Sequence, residues 1–298
     1  MEIYSSGKVL ITGEYVILDG ALSLACPTKF GQNLRLEENQ SNLINWKSIN
    51  CDGKIWFECS IRNKNLEIKS TSSKIISDTL IKIINLIREY NPSFLKNHGS
   101  NISNSLTFDK NWGLGSSSTL ISNLAKLSGV DPYILNNKIF KGSGYDIACA
   151  NSISPLVYQL NKNRKIIDEV TFKPTFHEKI FFVYLNKKQS SISEINNYNN
   201  IKASDLIINE ITNITSRILQ CESIEAYEKL IESHESIISK LISKPTIKET
   251  LFKDFKGSIK SLGAWGGDMI MATSHNDPNK YFTEKGYSTI FKFEELLV

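Results

Sequence analysis

The chain has 298 residues, which is enough for one large domain or two ordinary ones. Hydrophobic residues make up 41% of it and charged residues 22%, the composition of a soluble globular protein. A formal charge of +4, with no block of six or more basic residues, argues against nucleic-acid binding.

The cysteines and the apolar runs predict the compartment. Five cysteines, an odd number without a CxxC pair, argue against a zinc site or a disulfide framework and favour a reducing environment. No apolar run approaches the roughly 18 residues that span a bilayer, and the first residues do not resemble a signal peptide. We therefore expect a cytoplasmic protein without a membrane partner.

Short runs typical of strands fill the first third of the chain. The apolar runs KVLITGEYVIL and ALSLACPT flank the turn signal Asp19-Gly20, and LRLEE, LINWKSI, KIWFECSI and NISNSLTF follow. Between the last two of these, SSKIISDTLIKIINLIREY has Ile and Leu residues recurring on one helical face. This helix should end before Asn91-Pro92, since the residue before a proline disfavours helix.

The second half mixes helices and strands. A helix is predicted from residue 119 to about Leu127, a hairpin in SPLVYQLNKNRKIIDEV, and strands in EKIFFVYLN, MIMAT and STIFKF. Further helices are predicted over 202–220, 223–243 and 247–261. The absence of strict βαβ alternation predicts an α+β fold, and we divide the chain into domains at 1–168 and 169–298.

The loop NWGLGSSSTL, residues 111–120, leads directly into a predicted helix. Glycines allow backbone N–H groups to approach an anion, and the N-terminus of a helix favours negative charge. The loop is not the common P-loop, because no Gly-Lys-Ser/Thr sequence follows. Two interpretations stay open for this loop alone: a phosphate site, or a helix capped by Ser116 or Ser117.

Three further features are weak individually. GSGYD places Asp146 beside a flexible turn, where a carboxylate can accept a proton from a hydroxyl or simply belong to the turn. Lys8 interrupts an apolar strand, where it either snorkels or provides positive charge. GAWGGD, residues 263–268, is a second loop of small residues before an apolar strand.

Together and in this order, GKVLITGEY, GLGSSS, GSGYDIA and SLGAWGGD resemble the motifs of the GHMP kinases, which phosphorylate small molecules such as galactose, homoserine, mevalonate and phosphomevalonate. The resemblance covers Ser6 to about Thr273. It implies a two-lobed α+β fold with an N-terminal domain like the second domain of ribosomal protein S5, a ferredoxin-like C-terminal domain, and an active site between them. A homodimer is compatible with the family pattern.

The resemblance also implies roles for single residues and two cofactors, ATP and Mg²⁺. The phosphates of ATP would lie on the second motif, at Gly113, Gly115, Ser116, Ser117 and Ser118, with Ser117 at the magnesium ion. Asp146 would be the catalytic aspartate, with Lys8 beside it. The remaining predicted residues are substrate contacts: Glu14, Tyr15, Lys188, Ser190, Ser191, Gly263, Ala264, Gly266 and Gly267.

Two motifs narrow the expected substrate to a small anionic metabolite. GAWGGD, closed by Asp268, resembles the corresponding loop of phosphomevalonate kinases more than that of mevalonate kinases. LNKKQSSISEI, residues 185–195, resembles a strand and loop of both. The resemblance therefore favours a mevalonate-type acceptor, with phosphomevalonate slightly ahead of mevalonate. Lys8, Lys110, Lys141 and Lys188 are candidates for binding a second phosphate.

The chain departs from the family pattern in three places. Trp265 stands in a loop that is normally glycine and alanine, and Lys110-Asn111-Trp112 replaces the usual proline ahead of GLGSS. No glutamate occurs between residues 119 and 146, where mevalonate kinases carry a magnesium ligand. These departures leave two alternatives open: another GHMP acceptor such as homoserine, or a protein that binds a nucleotide or metabolite without transferring phosphate.

Overall fold

The computed structural model describes residues 1–140, 142–161, 164–189, 191–198 and 200–298, with the side chains of 191–193 outside the description. The strands are β1 (Glu2–Leu10), β2 (Ser23–Asn39), β3 (Leu43–Ile49), β4 (Ile55–Arg62), β5 (Ile68–Thr71), β6 (Gly99–Leu106), β7 (Leu156–Asn161), β8 (Arg164–Glu169), β9 (Ile180–Tyr184), β10 (Ile259–Leu262), β11 (Met269–Thr273) and β12 (Ile290–Lys292). The α-helices are α1 (Lys74–Tyr90), α2 (Ser116–Ser128), α3 (Pro132–Ile139), α4 (Tyr145–Ala150), α5 (Ser191–Tyr198), α6 (Asp205–Leu219), α7 (Ile224–Ile242), α8 (Ile247–Leu251), α9 (Asn279–Glu284) and α10 (Phe293–Leu296).

The chain divides into two compact units that interleave in sequence. Unit 1 comprises Met1–Gly7, Phe30–Lys110 and Leu114–Asn151, and unit 2 comprises Lys8–Lys29, Asn111–Gly113 and Ser152–Val298. A single cut in the chain does not separate them. The domain boundary at residue 168 stays a prediction.

Unit 1 is built on a twisted sheet in the order β5, β4, β3, β6 and the second half of β2. Its pairs are antiparallel except for β3 and β6, which run parallel. The buried face of this sheet and helices α1, α2 and α3 enclose one hydrophobic core, which includes Trp46, Phe57, Ile84 and Leu124. This core fixes the helices whose N-terminal ends carry the second and third motifs.

Unit 2 contains a four-stranded antiparallel sheet in the order β10, β11, β9 and β12. Strand β9, a helical stretch, hairpin β10–β11, helix α9 and strand β12 follow one another in the β-α-β-β-α-β pattern of a ferredoxin-like domain. Its core includes Val183, Phe252, Ile270 and Phe282. The first half of β2 pairs with β7, and β7 with β8, in the same unit.

Sheets whose strand pairs are mainly antiparallel confirm the predicted α+β class. Helix α1 ends at Tyr90, as the Asn91-Pro92 signal predicts. Two element predictions are wrong in part. The run KVLITGEYVIL is a strand only to Leu10, after which Val16–Asp19 form a 3₁₀ turn. The helix predicted over 247–261 ends at Leu251, because Ile259–Leu262 pair with β11 as a strand.

Within the stretches that the structure describes, no helix is both long and apolar enough to cross a membrane.

Candidate active site

The N-terminus of α2 in unit 1 has no side-chain cap. The helix begins at Ser116, and its N-cap residue is Gly115, whose left-handed backbone has φ of 89°. Ser118 is buried and donates its hydroxyl to the Gly115 carbonyl at 2.8 Å, whereas Ser117 is exposed. Since no serine caps the helix, the capping interpretation is wrong. As far as the described residues go, no side chain caps the first turn, so its N–H groups can bind an anion or water.

Buried polar contacts fix the start of α2 on strand β2. Thr119 donates its hydroxyl to the Gln32 side-chain carbonyl at 2.7 Å, and Asn123 donates to the Gln32 main-chain carbonyl at 2.9 Å. All three side chains are at least 99% buried. A buried hydrogen bond is costly to break because its partner is left unsatisfied, so the loop is held against a rigid strand.

Asp146 lies in the first turn of the short helix α4, which packs against α2 in unit 1. It is half-buried, and its Oδ1 accepts from the Ile147 N–H at 3.1 Å. Burial raises the pKa of the neighbouring Tyr133 to about 12, with smaller contributions from the charges of Asp131 and Asp146. Asp146 is thus an acidic side chain in the first turn of a helix.

The side chains of unit 1 that could bind magnesium fit an ion that is also bound by the phosphates of a nucleotide. Within the described residues no group of three His, Cys, Asp or Glu side chains is arranged to hold a metal. Ser117 and Asp146 offer one hydroxyl and one carboxylate. Mg²⁺ usually keeps several waters and takes one or two carboxylates plus substrate phosphates, so the chemistry of these two side chains fits such an ion, and a shared site stays a prediction.

Unit 2 gathers several predicted residues around Asp268. A Cβ built on Gly113 would lie 2.5 Å from the Asp268 carboxyl carbon, so only glycine fits there. Burial raises the pKa of Asp268, and the Gln189 N–H and the positive charges of Lys8 and Lys188 oppose this rise. Lys8 and Lys188, which are 180 residues apart in the sequence, both lower the pKa of this one carboxyl group.

The loop Gly263–Asp268 is anchored at its second half to residues 185–189. Asp268 donates its N–H to the Lys187 carbonyl at 2.7 Å, and its Oδ1 accepts from the Gln189 N–H at 3.0 Å. Gly267 lies so close to Gln189 that an added Cβ would be 2.2 Å from its Cγ. Gly263 and Gly266 are half-buried, and Ala264 is buried. Two of the predicted substrate loops are thus joined.

Trp265 packs inside unit 2. Its indole is 3% exposed and donates Nε1–H to the Pro245 carbonyl at 2.9 Å. The tryptophan that breaks the family pattern therefore has a packing role, and its side chain is turned into the unit.

Glu14 and Tyr15 are buried next to that loop. The Glu14 carboxylate is 1% exposed and lies 2.6 Å from Nζ of Lys260, which is itself fully buried. Tyr15 is 8% exposed, and its hydroxyl accepts from the Trp265 N–H at 3.0 Å. Burial is the main cause that raises the pKa of both groups. Each already has partners inside unit 2, and a contact with substrate stays a prediction.

Comparison with known proteins adds the fold family. No protein-family model matches the sequence, and no curated protein matches it. Among solved structures, a mevalonate kinase covers 98% of this chain and 98% of its own, with a TM-score of 0.69 and 18% identity. Streptococcus pneumoniae phosphomevalonate kinase, in complex with phosphomevalonate and AMPPNP, covers 96% and 95% with a TM-score of 0.70 and 16% identity. Lactococcus lactis galactokinase, complexed with galactose, covers 97% and 92% with a TM-score of 0.64 and 12% identity.

The chain has the GHMP kinase fold. The fold that the four motifs imply is confirmed over almost the whole chain.

Some residues predicted from the GHMP pattern cannot be placed. Lys141 and Ser190 lie outside the described residues, as does the side chain of Ser191, whose backbone begins α5. Among the other candidate phosphate ligands, the Lys110 ammonium lies 5.0 Å from the centre of the Trp56 ring in unit 1.

Four residues of this GHMP fold escaped the sequence motifs. Lys260, His234 and Glu235 form a buried polar cluster with Glu14, and Glu194 accepts a hydrogen bond from Tyr15. The Gly13 N–H donates to Nε2 of His234 at 3.0 Å, so the ring accepts at this nitrogen. The one local signal for this cluster was Lys260, a lysine within the short strand IKSL. Lys8 shows the same pattern of a lysine that interrupts a strand.

Proposed function

We propose that the chain is an ATP-dependent kinase that transfers the γ-phosphoryl group to a mevalonate-type acceptor, with phosphomevalonate slightly favoured over mevalonate. The observation that carries this proposal is the uncapped N-terminus of α2, preceded by Gly115 and containing three serines. An anion there gains both the free N–H groups and the helix dipole. The likeness to a phosphomevalonate kinase in complex with AMPPNP supports nucleotide as that anion.

In this proposal the protein contributes mainly position and charge, as phosphoryl transfer requires. The N–H groups of Ser116, Ser117 and Ser118 bind the phosphates. Ser117 and Asp146 would hold a magnesium ion, which when bound neutralises charge on the phosphates. An acceptor oxygen attacks the γ-phosphorus while the bond to the bridging oxygen of ADP breaks. Where the attacking oxygen of the acceptor belongs to a hydroxyl group, Asp146 takes the proton of that hydroxyl.

Two lysines of unit 2, Lys8 and Lys188, support an anionic acceptor. Lys8 and Lys188 both act on Asp268, whose burial opposes its own ionisation. A phosphate or carboxylate on the acceptor would be attracted to the same two ammonium groups. This is why we rank acceptors with two anionic groups, such as phosphomevalonate, above galactose.

The test is ADP release with ATP and Mg²⁺ against mevalonate, phosphomevalonate, homoserine and galactose. We expect turnover with one of the two mevalonate-type acids, and a loss of about 10²–10⁴-fold in Asp146→Asn if the acceptor is a hydroxyl. Nucleotide binding should survive in this variant. ADP release no greater than that measured with ATP and Mg²⁺ alone, across the whole panel, would refute the kinase and leave a nucleotide-binding protein.

Two serine variants test the phosphate loop itself. Ser117→Ala should raise the KM for Mg-ATP by about tenfold, because a ligand of the phosphate-bound metal is lost. Ser118→Ala is the matched control, since its hydroxyl is buried on the Gly115 carbonyl. It should cost about 1 kcal/mol of stability and change KM less. Equal effects of the two variants on KM would contradict the assignment of Ser117.

A further inference from the structure

The turn that carries Tyr15 is strained. Tyr15 has φ of 65° and ψ of −53°, and the Val16 N–H donates to the Glu14 carbonyl at 2.8 Å. This is a γ-turn with positive φ, a rare conformation that is unfavourable for a residue with a side chain. Such a turn persists only where its surroundings hold it in place.

The Glu14 side of the turn is held by buried polar contacts. Lys260 lies 2.6 Å from Oε2 of Glu14 and also donates to the Ser261 carbonyl at 2.9 Å. Gly13 donates its N–H to His234. Since Lys260 belongs to β10, these contacts fix the turn to the strand that leads into the loop Gly263–Asp268.

The Tyr15 side is held by a directed chain of hydrogen bonds. The Tyr15 hydroxyl donates to Oε2 of Glu194 at 3.0 Å, and Nζ of Lys244 lies 2.8 Å from the same oxygen. A carboxylate only accepts, so the phenol must be the donor to it, and a phenol lone pair is left to accept from the Trp265 N–H. We call Lys244, Glu194, Tyr15 and Trp265 the Tyr15 chain.

The Tyr15 chain joins segments that the sequence motifs treat separately. It connects the turn at Gly13–Tyr15, helix α5 and the first half of the loop Gly263–Asp268. The second half of that loop is fixed independently through Lys187 and Gln189. Without the phenol hydroxyl, the first half would lose a direct hydrogen bond from its Trp265 N–H.

We propose that Tyr15 and Glu194 are positioning residues, which set the conformation of the loop Gly263–Asp268 and thereby the affinity for the acceptor. This inference rests on the proposed function for its acceptor, but the contact itself is independent of it. Tyr15 acts in this proposal through the Trp265 N–H, and Glu194 acts through Tyr15.

The chain offers a matched pair of variants, Tyr15→Phe and Tyr198→Phe. Both tyrosines are more than 90% buried, their rings lie 5.3 Å apart, and each donates its hydroxyl to a carboxylate, Glu194 or Asp19. Each substitution removes one oxygen and keeps the ring, so the losses of global stability should be similar. Only Tyr15→Phe removes the acceptor of the Trp265 N–H.

The first measurement is amide hydrogen exchange of residues 259–273 in the full chain without ligands. We expect exchange at the Trp265 amide to be faster by about tenfold in Tyr15→Phe than in Tyr198→Phe, after correction for global stability. Equal exchange in the two variants would overturn the inference.

The second measurement is steady-state kinetics. Tyr15→Phe should raise the KM for the acceptor by about fivefold to tenfold and leave the KM for ATP unchanged, whereas Tyr198→Phe should change neither. Adding Glu194→Ala to Tyr15→Phe should not raise the acceptor KM further, because both act through one contact. An unchanged acceptor KM in Tyr15→Phe, or additive effects in the double variant, would overturn the positioning role.

The two proposals fail in different ways. A wild-type protein without phosphoryl transfer refutes the proposed function and, with it, the effect on acceptor affinity. An active wild type with an unchanged acceptor KM in Tyr15→Phe refutes only the positioning role.

Discussion

The substitution Glu235→Gln should stabilise this protein at neutral pH. Glu235 is 3% exposed, and its Oε1 lies 3.8 Å from Nζ of Lys260, whereas Oε2 of Glu14 lies 2.6 Å from the same ammonium. One ammonium group cannot neutralise two carboxylates. The positive charge of Lys260 mainly compensates the nearer carboxylate, that of Glu14. Burying a second, uncompensated carboxylate is costly.

The pKa of Glu235 follows from this competition. Burial raises it from an ordinary value of 4.5 to about 8, with Lys260 opposing the rise and Glu14 adding to it. At pH 7 the native side chain is therefore mostly protonated, while the same residue in the unfolded chain is ionised. The native state binds the extra proton, so this residue makes the protein less stable as pH rises from 4.5 towards 8.

The magnitude comes from the separation of the two pKa values. Between them, each pH unit is worth about 1.4 kcal/mol. Glutamine is neutral in both states and has nearly the same shape, so it removes this penalty. The free energy of unfolding of Glu235→Gln relative to wild type should rise by about 2–3 kcal/mol between pH 5 and pH 7.

Urea denaturation at pH 5, 6, 7 and 8 measures this difference. The control is Glu225→Gln, a change of an exposed carboxylate on the same helix, which should stay within about 0.5 kcal/mol at every pH. If Glu235→Gln destabilises the protein more at pH 8 than at pH 5, then Glu235 is ionised against Lys260 and the reasoning above is refuted.

Two further predictions concern neighbouring residues. Burial, and to a smaller extent the positive charge of Lys260, holds the pKa of His234 well below 6.5. Below pH 6.5 the unfolded chain therefore binds a proton at this residue that the native state does not bind. The stability of the native state thus falls as the pH decreases. His234→Gln keeps an acceptor for the Gly13 N–H, and its stability relative to wild type should improve by about 1 kcal/mol per pH unit from pH 6 to pH 5; parallel pH profiles in urea denaturation would contradict this. Gly267→Ala places a Cβ 2.2 Å from Cγ of Gln189 and should cost about 1–3 kcal/mol, so a thermal scan showing an unchanged Tm would refute the close packing.

Local patterns sufficed wherever one segment determines its own conformation. The recurring Ile and Leu residues and the Asn91-Pro92 signal located α1, because helix formation depends on neighbours three and four residues away. The stretch after Leu251 misled the same reasoning. Its residues Ile259–Leu262 extend as β10 because β11 pairs with them, which the local pattern does not encode.

The residues of the candidate site also differ in whether local sequence or contacts between distant residues reveal them. Asp146, Ser117 and Lys8 could be proposed from the sequence because they lie in short, ordered motifs that resemble those of the GHMP kinases. Lys260 and Glu194 could not be, because their partners Glu14 and Tyr15 lie far away in the sequence. The role of Trp265 also needed the structure, which shows its indole bonded to the Pro245 carbonyl.

By itself the sequence determined the α+β class and the order of the four motifs, since glycine loops and apolar periodicity are local properties of the chain. The GHMP kinase fold followed from the resemblance of those motifs to a known family. Only the tertiary structure decided which charges are buried together. It also showed that no serine side chain caps α2 and that the Tyr15 hydroxyl accepts a hydrogen bond from the Trp265 N–H. The reason is physical. A buried ion pair or hydrogen bond depends on the distance between two atoms and on the exclusion of water around them, and packing sets both.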